Sequence, residues 1–284
     1  MPVQRLKARL KEVGWFERQA IAVPNMADFL DLVALGTVAD VVPLDRNNRI
    51  LVHQGLMRIR NGRCRPGISA LLRIAGRNPA RAQASDMGFA VGPRLNAAGR
   101  LDDMSRGIEC LLAEDPQQAE RLAMELDRLN RERRAIEAEM KQQAEAVLSN
   151  WAPGDGGTLP WGLCLFQKEW HQGVIGILAS RIKERLHRPT IAFADGDPGQ
   201  IKGSARSIPG IHIRDVLDAV ATRHPGLISK FGGHAMAAGL SLSRDAYEAF
   251  SRAFVEEVAR HAEEVHLQAV IESDGELAAG DFQL

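Results

Sequence analysis

No stretch of this 284-residue chain approaches the roughly 20 consecutive apolar residues that cross a bilayer as a helix. The opening run MPVQRLKARLKEVGW has no signal-peptide core. Cysteine is scarce. Cys64, Cys110 and Cys164 are far apart and odd in number, which fits neither a zinc motif nor a disulfide framework and points to a reducing, cytoplasmic setting. Lysine is missing between Arg46 and Arg100, where eleven arginines face a single acid, Asp86. The whole chain carries 36 basic and 36 acidic residues, so this basic block is a local concentration within a neutral protein. It points toward a polyanion, since arginine's planar fork suits phosphate oxygens; a solvated surface is the alternative.

What remains has the composition of an ordinary globular protein with length for about two domains. The segment DLVALGTVADVVPLDRNNR, residues 31–49, sets Asp40 inside an otherwise uncharged run from Leu32 to Leu44. Residues 27–44 read as a short helical lead into a buried strand. On that reading Asp40 is a buried carboxylate, which calls for a cation, a cage of hydrogen-bond donors or a metal.

Helices are expected near 49–60 and 67–76, followed by a loop rich in Gly and Pro, GFAVGPRLNAAGRLDD, at 88–103. The clearest element spans 115–150. Leu122, Leu126, Leu129, Ile136, Met140, Ala144 and Val147 recur at helical spacing behind an Asp115-Pro116 start. Such a helix, about 50 Å long, reads as a bridge between domains. The Gly- and Pro-rich WAPGDGGTLPWG, residues 151–162, marks a boundary. Beyond it, strands are expected at 163–166, 190–194, 201–207 and near 236–242, with helices at 173–187, 213–223 and 244–263. That alternation is a small α/β domain. VHLQAVIESDGEL then reads as the first strand of a further module.

Four clusters carry chemistry. In IKGSARSIPG a strand places Lys202, Ser204 and Arg206 on one face, three donors suited to an anion such as phosphate, or a plain solvent-facing surface. In KFGGHAMAAG the pair Gly232 and Gly233 ahead of His234 forms either a plain turn or a cradle of N–H groups for an anion. GPRLNAAGRL offers Arg94, Asn96 and Arg100, either as contacts to a single strand or as capping and surface charge. WHQGVIG leads into a helix whose first N–H groups could face a ligand, with Trp170 read as a packing residue. Together these describe anion contacts in both halves of the chain, as a bound nucleic acid or other phosphodiester requires.

LGTVADVVPLDRNNR, GPRLNAAGRLDDM, WHQGVIGILASRIKERLHRP, KGSARSIPG and KFGGHAMAAG, in order from about residue 13 onward, closely resemble the RecJ family of single-strand-specific DNA exonucleases in the DHH phosphoesterase superfamily. The resemblance implies an α/β protein. Its parts would be the C-terminal portion of a DHH domain (1–112), a connecting helix (113–150), a DHH-associated domain (160–264) and the start of an OB-fold (265–284). It implies 5′→3′ hydrolysis of single-stranded DNA in repair and recombination, using two Mg²⁺ or Mn²⁺ ions held by Asp and His side chains. Asp40 would be a catalytic metal ligand. Ser204 and Arg206, beside Lys202, would take the 5′-terminal phosphate; Asn96 and Arg100 would contact the strand; Gly232, Gly233 and His234 match the family's glycine-histidine motif. The family's Asp-x-Asp, its further Asp and its Asp-His-His have no counterpart in residues 1–30. The chain therefore reads as the middle of such an enzyme, monomeric and inactive by itself. A non-catalytic single-strand-binding module, or a phosphodiesterase acting on short oligonucleotides or cyclic dinucleotides, are the alternatives.

Overall fold

The computed structural model describes residues 2–149, 159–270, 273, 275 and 276. The chain divides into two compact units, Met1–Arg134 and Ala135–Leu284.

Every regular element of the first unit is helical among the described residues: α1 (Pro2–Glu12), α2 (Trp15–Arg18), α3 (Leu30–Ala39), α4 (Arg46–Arg60), α5 (Pro66–Ile74), α6 (Ala84–Asp86), α7 (Gly92–Leu101) and α8 (Ser105–Leu112). The expected buried strand leading to Asp40 is instead α3. Its sequence LDLVALGTVA is apolar almost all round, so periodicity cannot separate a strand from a buried helix. Asn25 starts the helical path by accepting a hydrogen bond from the Ala27 amide at 3.1 Å. Helix α4 then packs so close to α3 that a Cβ on Gly55 would stand 2.1 Å from the Leu30 carbonyl oxygen. Helix α3 ends in paired bonds from Val42 N to Thr37 O (3.0 Å) and from Val41 N to Val38 O (3.2 Å). This is a Schellman closure, with Val41 at φ 53° where glycine is usual.

The expected loop at 88–103 is also helical. A π-helical turn at Met87–Val91 runs directly into α7. Pro93 falls in the first turn of α7, and Leu95 and Ala98 are buried on that helix's inner side. The core gathers Ile59, Ile68, Leu71, Leu72, Met87 and Leu126. Helix α9 (Pro116–Ser149) begins here, capped as expected by Asp115, which accepts from the Gln118 amide at 2.8 Å.

The second unit holds β1 (Leu163–Phe166), α10 (Ile175–Leu186), β2 (Thr190–Asp195), β3 (Gln200–Arg206), α11 (Ile213–Arg223), β4 (Lys230–Gly233), β5 (Ala237–Ser243) and α12 (Tyr247–His261). The strands form one sheet in the order β1-β2-β3-β5-β4, with β1 and β2 parallel and every other pair antiparallel. Ile201, Ala205, Leu240 and Leu242 point into a core completed by α11 and α12. There Phe193 meets Tyr247 and Phe250 edge-on at 5.6 and 5.7 Å. Residues 230–233, read as part of a turn, are strand β4. At the other end, 264–267 form a 3-10 turn and no strand follows through residue 270. The rest of the segment read as a new module lies outside the described residues, apart from 273, 275 and 276.

Candidate nucleic-acid interface

Strand β3 alternates. Ile201, Gly203 and Ala205 are buried against the core, while Lys202, Ser204 and Arg206 share the opposite, partly open face. The sheet register extends that face sideways. Ser204 pairs with Gly239 of β5, which pairs with Gly232 of β4. One row over, Lys202 pairs with Ser241, which pairs with Lys230. Paired residues in antiparallel strands project to the same side, so a hydroxyl beside two glycines lies next to a lysine-serine-lysine row.

These two glycines have no role in packing that the fold explains. A Cβ at Gly232 or Gly239 would meet nothing within 4 Å, and neither has a positive φ. Gly233 differs: a side chain there would collide with the backbone of Ala237 and Ala238, at 2.4 and 2.5 Å. The first is thus an open floor and the second a requirement of the β4–β5 hairpin. His234 follows at the hairpin tip, exposed, its amide bonded to Ala237 O at 2.8 Å.

A helix N-terminus closes one side. Arg206 Nη1 donates to Ser204 Oγ at 3.0 Å and to the Ala205 carbonyl at 2.8 Å. Gly176, in the first turn of α10, lies directly over this pair: an added Cβ would stand 2.8 Å from Arg206 Nη2 and 3.0 Å from Ser204 Oγ. The amides of Ile175 and Ile177 at the start of α10 already donate to the carbonyls of His171 and Val174, at 3.2 and 2.9 Å, so what the helix brings to the serine hydroxyl and the guanidinium is its positive dipole end. An anion seated here would meet a hydroxyl, a guanidinium and the positive end of a helix. Trp170, just upstream, is 4% exposed and donates from Nε1 to Gln143 Oε1 at 2.8 Å, a packing role as the sequence suggested. Lys230, Ser241 and Gly239 were missed in the sequence because the register that sets them beside Ser204 is not a local property.

In the first unit, Asp40 is exposed at the C-terminal end of α3 rather than buried. The buried carboxylate of this region is Asp31, nine residues earlier and 1% exposed. It is bound by Arg65 Nη1 at 2.7 Å, the Arg65 amide at 2.8 Å and the Leu32 amide at 2.8 Å. Ala39, the residue before Asp40, packs against the start of α7, since a Cβ on Gly92 would lie 3.3 Å from its own. Asn96 and Arg100, four residues apart, lie on the exposed side of α7. Arg94 does not join them: it is paired with Asp127 at 2.8 Å. Much of the arginine block serves the fold in this way. Arg58 pairs with Asp28 and Arg77 with Asp86, while Arg60 and Arg49 donate to the carbonyls of Ala82 and Leu44.

Among the described residues no group of three or more His, Cys, Asp or Glu side chains could hold a metal ion. One exposed aspartate falls short of the ligand sets divalent cations take. The described residues do not fit a two-ion centre.

Residues 161–260 match the model of the DHHA1 domain. The single-stranded-DNA-specific exonuclease RecJ of Dickeya dadantii is 58% identical over 280 residues, covering 98% of this chain and 48% of that protein. The chain belongs to the RecJ family. The crystal structure of RecJ with Mg²⁺ from Thermus thermophilus superposes with a TM-score of 0.71 at 32% identity, over 86% of this chain and 36% of that one. A RecJ exonuclease bound to manganese gives the same TM-score over 89% of this chain and 60% of its own. The chain thus spans about half the length of the curated RecJ relatives it matches. The mixed α/β architecture expected from the sequence is that of the solved RecJ structures.

Proposed function

We propose that the open face of β3, β5 and β4 binds the phosphates of single-stranded DNA, with the 5′-terminal phosphate held by Ser204, Arg206 and the start of α10. In this reading the chain supplies strand binding to a RecJ-type 5′→3′ exonuclease. The observation that carries it is the glycine pair Gly232–Gly239, open to solvent without a packing or backbone reason, beside Ser204 under a helix N-terminus. Glycine lets a ligand approach the backbone closely. Lys202 and Lys230 flank the floor where a following phosphate would lie, and a serine between them adds a donor. His234 at the hairpin tip, with Gly232 and Gly233, borders the same face.

Asn96 and Arg100 on the exposed side of α7 would guide the strand in the first unit. Asp40 would contribute one ligand to a Mg²⁺ or Mn²⁺ centre. With no further ligands among the described residues, binding and hydrolysis separate: this polypeptide holds single strands and does not cut them.

The test is a pair of measurements on the 284-residue chain. Fluorescence anisotropy with a 5′-phosphorylated oligothymidylate is expected to show salt-sensitive binding that a duplex of the same length does not match. Release of acid-soluble nucleotide with Mn²⁺ is expected to equal a chelator control. Duplex binding as tight as single-strand binding would overturn the first statement, and chelator-sensitive digestion the second.

A further inference from the structure

The segment that carries the chain from β1 into α10 is pinned at three points. Trp170, which is buried, donates from its indole Nε1 to Gln143 Oε1 of α9 at 2.8 Å. Gln172 Nε2 donates to the carbonyl of Asp195, the last residue of β2, at 2.7 Å. His171 Nδ1 accepts from the Gly173 amide at 3.1 Å and closes the turn between them. Six residues after Trp170, Gly176 stands over Ser204 and Arg206.

Gln143 is itself held. Its Nε2 donates to Glu139 Oε1, one turn earlier on α9, at 3.3 Å, which leaves the amide oxygen facing the indole. A buried indole N–H needs such an acceptor. Two further polar contacts join α9 to α10: Arg181 with Glu137 at 3.4 Å and Arg185 with Glu145 at 2.8 Å. Both arginines are more than half exposed and sit on the later turns of α10, and exposed ion pairs hold weakly. Of these three contacts, Trp170–Gln143 is the one that acts at the start of the helix and through a buried side chain.

The start of the helix is where position matters. The positive end of a helix dipole acts only over its first turn. A binding group must also be held within about 0.5 Å of its productive place. We propose that Gln143 is a positioning residue: through Trp170 it fixes the first turn of α10 over Ser204 and Arg206, and so sets the preference for a phosphorylated 5′ end. The inference rests on the phosphate being seated by Ser204 and Arg206. It adds that a residue of α9, outside the sheet that forms the binding face, governs how well the phosphate is distinguished from a hydroxyl.

The test uses the 284-residue chain and paired oligothymidylates, one with a 5′ phosphate and one with a 5′ hydroxyl, read by anisotropy. Gln143→Met keeps helix propensity and side-chain length but removes the acceptor. Its preference for the phosphorylated strand is expected to fall by about threefold or more, with affinity for the 5′-hydroxyl strand unchanged. Gln143→Glu restores an acceptor and is expected to keep the wild-type preference. Arg185→Ala, which releases the far end of α10 from Glu145, is expected to keep it as well. Hydrogen exchange over residues 173–178, followed by mass spectrometry, is expected to quicken in Gln143→Met and not in Gln143→Glu. A merely structural role for Gln143 would lower both affinities together. That result, a wild-type preference that survives Gln143→Met, a loss that Gln143→Glu or Arg185→Ala shares, or unchanged exchange at the start of α10 would each overturn the proposal. A wild-type chain with no preference at all would overturn the seating of the phosphate, and this proposal with it.

Discussion

Gly176 lies over Arg206 so closely that a single added methyl group would stand 2.8 Å from the guanidinium Nη2. The contact is to the far end of a flexible side chain, so the arginine can move aside. Gly176→Ala is therefore expected to change stability by less than about 1 kcal/mol, since alanine also favours the helix by about that amount. Binding of a 5′-phosphorylated oligonucleotide is expected to fall about tenfold, a difference of about 1.4 kcal/mol. Denaturant unfolding and anisotropy on the same variant separate the two effects.

The glycine floor gives a second separation. Gly232→Val and Gly239→Val place side chains in open space on strands, where valine is favoured over glycine. Both variants are expected to fold with unchanged or slightly raised stability and to lose single-strand affinity. A drop in stability, read by urea unfolding, would show that these glycines serve the fold.

The buried carboxylate of Asp31 pairs with Arg65 at 2.7 Å. Asp31→Ala leaves two amides without their acceptor and the guanidinium with the Asp28 carbonyl, at 2.9 Å, in place of a carboxylate. Breaking one partner of a buried pair costs about 3–5 kcal/mol. Arg65 is still 22% exposed, so the lower end of that range is expected in urea unfolding. Strand binding by the second unit should be unaffected.

Burial raises the thiol of Cys110 to about 11, from 9.0, and pushes that of Cys164 up further, partly opposed by a hydrogen bond from Ser251. Both thiols are thus protonated and unreactive at neutral pH in the folded protein. Above pH 9 the unfolded chain releases these protons more readily than the folded one. The stability their burial contributes is complete below pH 9 and is lost as pH rises toward 11. Thiol titration at pH 8 is expected to find both cysteines slow to react until denaturant is added, and urea midpoints are expected to fall between pH 9 and 11.

The second unit was legible in the sequence because its signals are local. Strands 163–166 and 190–195 are short apolar runs, and Lys202, Ser204 and Arg206 alternate with small buried residues. The long helix was equally plain, with apolar residues at helical spacing behind Asp115. The region around Asp40 misled because an apolar run with no polar face looks the same as helix or strand. Its true terminus, a Schellman closure at Val41, uses a residue that no propensity rule places there. Arg94 illustrates a different limit: its partner Asp127 is 33 residues away, so its structural role is invisible until the fold brings them together. The site face itself depended on register, which pairs Gly239 with both Ser204 and Gly232.

The central claim is that a 5′ phosphate is seated by Ser204 and Arg206 beneath α10. Anisotropy titrations of paired oligothymidylates, one with a 5′ phosphate and one with a 5′ hydroxyl, measured across a salt series, address it directly. The wild-type chain is expected to prefer the phosphorylated strand, and Arg206→Ala is expected to remove that preference and lower the slope of log affinity against log salt by about 0.7, one phosphate contact. Equal affinity of the wild-type chain for both strands, or a preference that survives Arg206→Ala, would contradict the account.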